Sequence, residues 1–276
     1  MQKDSLFELK KIANELRQDV IRSLKNAGSG HSGGSLGMAD IFAVLYFAIL
    51  NHDPKKPNLK NRDRLILSNG HICPILYASL ARAGYFPLAK LKTLRKLNSD
   101  LQGHPHNLSL AGVETSSGPL GQGISQAVGM ALAAKLDHLK HHIFCVTSDG
   151  EHNEGQVWEA IMTANKYHLG NLINIIDYNG IQIDGYTKDI MPLGNLKTKY
   201  ESFGWKVLET NGHDLKQIIK TLDKAKTYQK SPVAIIAHTI LGKGVSFMEN
   251  KYPWHGKAPN QEQASRALEE LQNHDQ

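Results

Sequence analysis

The sequence lacks the features that mark membrane-bound or secreted proteins. No apolar run among its 276 residues is long enough to cross a bilayer, and the best candidate, Met38 to Leu50, is typical of a buried helix. The N-terminus has no apolar signal core, so we expect no secretion. The only two cysteines, Cys73 and Cys145, lie in apolar surroundings without metal-like spacing. They predict reduced core thiols in a cytoplasmic protein.

Clusters of like charge are also absent. The net charge is +6, yet no run of five or more like charges occurs. The sequence has neither zinc-finger spacing nor an aromatic ribonucleoprotein motif, so we expect no nucleic-acid partner and no membrane partner. A lysine-rich surface is the simplest explanation of the charge. A positive field would also suit phosphorylated substrates or a partner with an acidic face.

The sequence contains an alternation of helical and extended patterns. Helices are predicted near 5–26, 38–50, 71–83, 124–139, 156–168 and 214–226, and strands at 64–68, 143–147, 172–176, 205–209 and 232–239. This order predicts an α/β fold, a doubly wound and mainly parallel sheet with helices on both faces. No linker interrupts the pattern, so we expect residues 1–276 to form one domain. Residues 241–276 are predicted to be a loop and a short C-terminal helix packed on that domain.

Two oxygen-bearing side chains follow successive predicted strands. Asp149 lies just after the strand at 143–147, and Asn179 lies just after the strand at 172–176. In an open α/β sheet, ligands bind outside the carboxyl ends of the strands. A carboxylate and an amide oxygen can therefore share one hard cation, with carbonyl, water and phosphate oxygens completing its shell. The pair predicts a site for Mg²⁺ and a diphosphate, although such residues are also common in ordinary turns.

Four histidines lie beside glycine at predicted element ends, namely His31, His71, His104 and His255. Any one of them alone is more typical of a surface or core histidine. Together they suggest a rim of imidazoles around one pocket, which suits proton transfer to sugar hydroxyls and carbonyls. Their spacing is unlike that of zinc ligands.

Several ordered motifs give these residues a more specific context. A Gly-Asp-Gly followed nearly thirty residues later by Asn is typical of thiamine diphosphate enzymes, and this chain has Ser148-Asp149-Gly150 followed by Asn179. The chain resembles the first domain of transketolase, and most closely the N-terminal subunit of two-chain transketolases, from about Leu6 to Leu268. The matching segments are 30–38, 67–71, 103–105, 118–123, 148–155, 179–185 and 254–256.

The resemblance implies roles for particular residues, with thiamine diphosphate as cofactor and Mg²⁺ as the metal (Ca²⁺ or Mn²⁺ as substitutes). The metal ligands would be Asp149, Asn179 and the backbone carbonyl of Ile181. The cofactor contacts would be His71, Gly118, Pro119, Leu120, Gly150, Asn179, Ile183 and His255. The catalytic residues would be His31, His71, His104, His255 and Glu154. Glu154 and Glu159 also resemble acidic residues that link paired active sites where the two chains meet, although a solvated helix face explains them equally well.

One departure from the family pattern concerns the residue before the aspartate, where Ser148 replaces the usual glycine. A serine there requires a negative φ, and its hydroxyl could then cap the helix expected to start at Gly150. The dipole of that helix would favour the diphosphate.

The resemblance also implies that a second domain is needed. In the family, the glutamate that activates the cofactor and the arginines that bind sugar phosphate lie on a pyrimidine-binding domain, and we expect this chain to lack it. The implied function is therefore that of a transferase subunit in a cytoplasmic α2β2 heterotetramer of the pentose phosphate pathway. It would transfer a two-carbon ketol unit from a ketose phosphate to an aldose phosphate, only with a partner chain that carries the second domain. The alternatives are an enzyme like deoxyxylulose phosphate synthase or a 2-oxo acid dehydrogenase, and a non-catalytic assembly subunit.

Overall fold

A five-stranded sheet lies at the centre of the computed structural model, which describes residues 5–273. In chain order the strands are β1 (Arg64–Leu67), β2 (Ile143–Ser148), β3 (Leu172–Tyr178), β4 (Ile181–Gln182), β5 (Gly185–Tyr186), β6 (Lys206–Asn211) and β7 (Val233–His238). The central sheet has the order β1-β2-β3-β7-β6, and every neighbouring pair in it is parallel. Strands β4 and β5 form a separate antiparallel hairpin. The predicted parallel α/β sheet is confirmed.

Helices account for most of the remaining regular structure. They are α1 (Leu6–Ala27), α2 (Gly33–Gly37), α3 (Ala39–Val44), α4 (Cys73–Arg82), α5 (Gln122–Leu136), α6 (Gly155–Lys166), α7 (Thr187–Ile190), α8 (Leu196–Ser202), α9 (Leu215–Thr227) and α10 (Gln261–Asn273). A π-helical turn spans Leu45–Ile49, and short 3-10 turns span Gly70–Ile72, Leu88–Thr93, Gly150–Asn153 and Tyr252–Trp254. None of the helices within residues 5–273 is both long and apolar enough to cross a membrane.

The sheet is buried on both faces. All six residues of β2 are buried, and its four apolar residues divide between two hydrophobic clusters. Phe144 and Val146 belong to the cluster that includes α1, α3, α4 and α9, whereas Ile143 and Cys145 belong to the cluster that includes α5 and α6. Since side chains alternate along a strand, this division places one cluster on each face. Both cysteines are buried and unpaired, as predicted.

The helix predicted at Met38–Leu50 differs from the observed structure. Helical structure already begins at Gly33, is interrupted at Met38 between α2 and α3, and widens into the π-helical turn at its end. A Cβ at Gly37 would lie 2.8 Å from the carbonyl oxygen of Ile240, so α2 packs backbone to backbone against the segment that follows β7. This long-range contact explains the early start, which the local pattern does not predict.

Candidate active site

Strands β2 and β3 end side by side at the carboxyl edge of the sheet. Ser148 pairs with Asp177 in the parallel register, and Asp149 N donates to Asp177 O at 3.1 Å. The Asp149 carboxylate accepts from Gly150 N at 2.8 Å through Oδ1 and from Gly180 N at 2.6 Å through Oδ2. The turn that carries Asn179 is therefore tied directly to Asp149.

The oxygen atoms of this turn are those that the sequence predicts as metal ligands. Asn179 Oδ1 accepts from Ile181 N at 2.9 Å, so the amide oxygen and the Ile181 backbone belong to one tight turn. Asp149 is 1% exposed. Its burial, and to a lesser extent repulsion from Asp177, raise the pKa of its carboxyl to about 7. Within residues 5–273, no three His, Cys, Asp or Glu side chains are grouped as metal ligands. A cation here would depend on one carboxylate together with amide and carbonyl oxygens, a donor set that suits a hard ion.

The backbone after Asp149 differs from the prediction. Gly150 begins a 3-10 turn capped by the Asp149 side chain, and the α-helix proper starts only at Gly155. The expectation of a helix N-terminus at Gly150, capped by the Ser148 hydroxyl, is wrong, because the Asp149 carboxylate takes the Gly150 N–H. The φ of Ser148 is not positive, and this meets the condition for a serine at this position.

Three of the predicted histidines form a compact group. The ring centroids of His31 and His71 are 4.9 Å apart, those of His71 and His255 are 5.3 Å apart, and those of His31 and His255 are 5.7 Å apart. The ring of His104 contacts Gly118, where an added Cβ would lie 3.5 Å from the imidazole. The loops that follow α1 and β7 and the turn before α4 thus bring together imidazoles that are far apart in the sequence.

The pKa of each of these imidazoles is lowered. Burial, and to a lesser extent the neighbouring His255, lower the pKa of His31 to about 4. The same two causes, in the same order, lower the pKa of His71 well below its usual value. Burial lowers the pKa of His255, and burial together with Arg95 lowers that of His104. The rings are therefore neutral near pH 7, when each has one nitrogen that donates and one that accepts.

A cavity of about 300 Å³ joins the histidines to the strand ends. Its lining residues are His31, Gly34, His71, His104, Gly118, Leu120, Ser148, Gly150, Asp177, Asn179, Ile181, Gln182, Ile183 and His255. Of the predicted site residues, Pro119, Asp149 and Glu154 are outside this lining. Asp149 is buried beneath it, whereas Glu154 and Pro119 are exposed. Glu159 is exposed on α6, so the roles of both glutamates stay predictions.

Two buried carboxyl groups near the cavity are missing from the sequence-based prediction. Asp177 lines the cavity, accepts from the Thr239 hydroxyl, and has its pKa raised to about 6 by burial. Glu151 lies behind the wall of the cavity and is fully buried. Asp177 could have been found from its place two residues before Asn179. Glu151 carries no such signal, because its partners come from distant segments.

Arg95 is a third site neighbour that the sequence does not reveal. It has a φ of 58° and donates through Nη2 to Gly103 O at 3.2 Å. A Cβ at Gly103 would lie 2.7 Å from the Arg95 guanidinium carbon, and one at Gly30 would lie 3.5 Å from its Nε. The guanidinium therefore packs on the two glycines that directly precede His31 and His104.

The polar atoms around the cavity fit a cofactor that has an anionic tail and a cation. His31 Nδ1 and His255 Nδ1 are buried and have no hydrogen-bond partner in the described part of the chain, residues 5–273. Asp149 and Asn179 supply oxygen ligands, and Gly118 (φ 150°) keeps the wall beside His104 free of a side chain. Buried polar atoms without partners are rare in native proteins, and a bound molecule is one common reason for them.

Known proteins resemble this chain over nearly its whole length. The family described as "Transketolase, thiamine diphosphate binding domain" matches residues 9–274. The 6-deoxy-6-sulfo-D-fructose transketolase subunit SqwG of Clostridium sp. (strain MSTE9) is 43% identical over 96% of this chain and 97% of its own length. One of the apulose-4-phosphate transketolase subunits, from Actinobacillus succinogenes, is 41% identical over 98% of each chain.

A solved transketolase structure shares this fold. The transketolase of Campylobacter jejuni superposes with a TM-score of 0.92 at 38% identity. The match covers 98% of this chain but 43% of that transketolase, so this chain spans less than half of that longer protein. The two similar subunits from Clostridium and Actinobacillus, in contrast, match it nearly end to end.

Proposed function

This chain belongs to the transketolase family, and on that premise we propose that it is the thiamine diphosphate-binding subunit of a two-chain transketolase. The observation that carries the proposal is that Asn179 and three neutral imidazoles line one cavity, with Asp149 buried beneath it and bonded to the Asn179 turn. We treat residues 1–276 as one cofactor-binding domain, with residues 241–276 packed on it. Because its two cysteines are buried and unpaired, we place it in the cytoplasm.

The cofactor would lie in the 300 Å³ cavity, with Mg²⁺ (or Ca²⁺ or Mn²⁺) between its diphosphate and the strand ends. Asp149, Asn179 and the Ile181 carbonyl would hold the ion, and a cation there would stabilise the buried Asp149 carboxylate as an anion. Gly118 to Leu120 and Ile183 would contact the rings, while Gly150, His71 and His255 would contact the diphosphate. When bound, thiamine diphosphate supplies the carbanionic carbon that accepts and releases a two-carbon unit.

The histidines would act on the sugar. Their rings are neutral near pH 7, so each can accept a proton from a hydroxyl or donate one to a carbonyl oxygen as charge develops. Among residues 5–273, neither His31 Nδ1 nor His255 Nδ1 has a hydrogen-bond partner, which leaves the hydrogen-bonding capacity of both rings incompletely used. The Arg95 guanidinium would keep His31 and His104 in position through the glycines before them. Glu154 and Glu159 would serve communication between paired sites.

A partner chain would complete the cavity. The side chains at its rim include Leu120 and Ile183, and the neighbouring Ile190, Met191 and Tyr252 are also large, apolar and exposed. Apolar side chains grouped at the rim of a polar cavity are typical of an interaction surface. The similarly sized relatives are named as subunits, which supports a partner with a pyrimidine-binding domain and an α2β2 assembly. That partner would supply the activating glutamate and the sugar-phosphate arginines.

The donor would be a ketose with an anionic group at its far end. The relatives of similar size are named for 6-deoxy-6-sulfo-D-fructose and apulose 4-phosphate, and other members of the family are transketolases of the general kind. The shared chemistry is a two-carbon ketol unit at one end and a sulfonate or phosphate at the other. The proposed reaction transfers that unit to an aldose phosphate, in the manner of the pentose phosphate pathway.

The test is co-expression of this chain with the pyrimidine-binding chain that we expect to be encoded beside it. Cofactor binding is measured by calorimetry with thiamine diphosphate and MgCl₂, with and without EDTA. Ketol transfer is measured with xylulose 5-phosphate, apulose 4-phosphate and 6-deoxy-6-sulfo-D-fructose as donors. We expect EDTA-sensitive binding and transfer from at least one donor by the complex, and no transfer by this chain alone. Transfer by the isolated chain would refute the need for a partner, and absence of cofactor binding by the complex would refute the function.

A further inference from the structure

Glu151 is a fully buried carboxylate at the meeting point of three backbone segments. Its Oε1 accepts from Ser68 Oγ at 2.6 Å and from Gly121 N at 2.7 Å, and its Oε2 accepts from Ser148 N at 2.9 Å. The structure gives it no salt bridge within residues 5–273. Burial of a carboxylate is costly, and here three hydrogen-bond donors converge on it in place of water.

The three donors belong to elements that come together only in the folded protein. Ser68 directly follows β1, Ser148 is the last residue of β2, and Gly121 directly precedes α5. Ser68 Oγ also accepts from Gly123 N at 3.1 Å, which extends the network into the first turn of α5. One side chain thus joins two strand ends to the start of a helix.

The segment held by this network forms one wall of the cavity. Gly121 has a φ of 78°, and the preceding Leu120 and Gly118 line the cavity. Leu120 O accepts from Gln156 Nε2 at 2.7 Å, so α6 holds the same turn from its other side. Glu151 does not line the cavity, and any influence on a ligand must pass through the position of the Gly118–Gly121 turn.

We propose that Glu151 is a positioning residue that fixes the Gly118–Gly121 turn against β1 and β2, so that the cofactor-binding wall exists before the cofactor arrives. The identity of the ligand rests on the proposed function, whereas the positioning role rests on the contacts alone. Preorganisation of this kind strengthens binding because the loop need not be ordered when the ligand binds.

An amide cannot replace this carboxylate. A glutamine has one acceptor oxygen, so its NH₂ group must face either Ser148 N–H or the pair Ser68 and Gly121. Either orientation places two donors against each other in a buried site, which is unfavourable. Glu151→Gln therefore weakens the attachment of the turn while conserving size and shape.

The matched control is Asp63→Asn. Asp63 is 5% exposed, and its carboxylate also accepts from two backbone N–H groups, those of Asn51 at 2.9 Å and His142 at 2.8 Å, although unlike Glu151 it additionally pairs with Lys226 Nζ at 3.5 Å. It lies just before β1, at the opposite end of the strand from Ser68. Both substitutions thus exchange a buried carboxylate for an amide, and only one of them touches the Gly118–Gly121 turn.

The experiment measures amide hydrogen exchange at residues 118–123 in the chain without cofactor, and the Kd for thiamine diphosphate with MgCl₂ in the assembled complex. For Glu151→Gln we expect Gly121 to exchange about tenfold faster or more and the Kd to rise about tenfold, the scale of one disrupted buried hydrogen bond to a charged group. For Asp63→Asn we expect a lower denaturation midpoint, with the Gly121 exchange rate and the Kd unchanged. Ser68→Ala, which removes one donor and leaves the carboxylate, is a milder second variant and should shift both values in the same direction by less.

The positioning role would be overturned if Gly121 exchanged at the wild-type rate in both Glu151→Gln and Ser68→Ala. It would also be overturned if Asp63→Asn changed the Gly121 exchange rate and the Kd as much as Glu151→Gln does. If Glu151→Gln does not fold, Ser68→Ala alone decides between these outcomes. If the wild-type complex binds no thiamine diphosphate, the proposed function fails, but the exchange measurement still tests the role of Glu151.

Discussion

Gly123 and Gly129 lie in the same helix, α5, but have very different surroundings. A Cβ at Gly123 would lie 2.5 Å from Ser68 Cα, a backbone atom at the end of β1. A Cβ at Gly129 would meet nothing within 4 Å, and this residue is exposed. The same substitution by alanine therefore tests whether α5 packs directly on the backbone after β1, as the cavity wall requires.

The two effects should have opposite signs. At Gly129, alanine lowers the backbone entropy of the unfolded chain and has the higher helix propensity, which stabilises by about 1 kcal/mol. At Gly123 the same gain is outweighed by overpacking, which costs about 1–3 kcal/mol where a side chain meets rigid backbone. We expect a net loss of about 1–2 kcal/mol for Gly123→Ala, so the two variants should differ by about 2–3 kcal/mol.

Urea unfolding followed by circular dichroism gives both free energies under the same conditions. A midpoint for Gly123→Ala at or above that of the wild type would refute the close approach of α5 to Ser68. A loss of stability in Gly129→Ala would show instead that the helix does not tolerate alanine at an open position. An unchanged m-value in both variants confirms that the shifts report stability.

Three further predictions concern the site and the core. Asp149→Ala should weaken Mg²⁺-dependent binding of thiamine diphosphate by the complex by about 100-fold or more, measured by calorimetry. Asp189 is exposed, and Asp189→Ala should leave this affinity unchanged. Equal affinities of the two variants for the cofactor would contradict the metal site. The contribution of His31 to stability should be lost as the pH drops from 6.5 towards 4, because the pKa of His31 is lowered to about 4 in the folded state and the unfolded chain takes up the proton first. The loss from His31 is on the order of 2 kcal/mol after allowance for its partial solvation, and His31→Gln should flatten the urea-midpoint curve over this window; parallel curves would contradict the shift. Neither cysteine should react with a thiol reagent until the protein unfolds, because burial raises the pKa of Cys73 to about 12 and that of Cys145 well above its usual value. Reaction of the native protein would show that one thiol is accessible.

The parts of the fold that were predicted correctly are those with a strong local signal. Strands β2 and β3 are mostly apolar and buried along nearly their whole length, which is typical of parallel strands covered on both faces. The helix predicted near 214–226 is α9, and Asp214 caps it because its carboxylate accepts from Lys216 N and Gln217 N. The position of Asp149 after β2 follows from the same reasoning, because strand ends are easier to locate than the turns beyond them.

The parts that were missed depend on contacts between distant segments. Helix α8 has only two buried residues, Leu196 and Tyr200, too few for a helical period to be recognised. Glu151 looks like a surface residue of a turn until Ser68 and Gly121 are brought to it. Arg95 likewise reaches the site only in the folded chain, where its guanidinium packs on Gly30. Such residues carry no periodic signal because their partners are set by the tertiary fold.

The position of β7 has a consequence for how the protein is made. This strand comes after α9 in the chain, yet it lies inside the sheet between β3 and β6. While the ribosome is still synthesising α8, β6 and α9, the open edge of β3 has no neighbour, and Asp177 lacks the Thr239 hydroxyl. Pairings between segments far apart in the sequence form slowly and leave strand edges exposed to aggregation. The nascent chain therefore cannot complete the carboxyl edge of the sheet, where the candidate site lies, until β7 and Thr239 have left the ribosome.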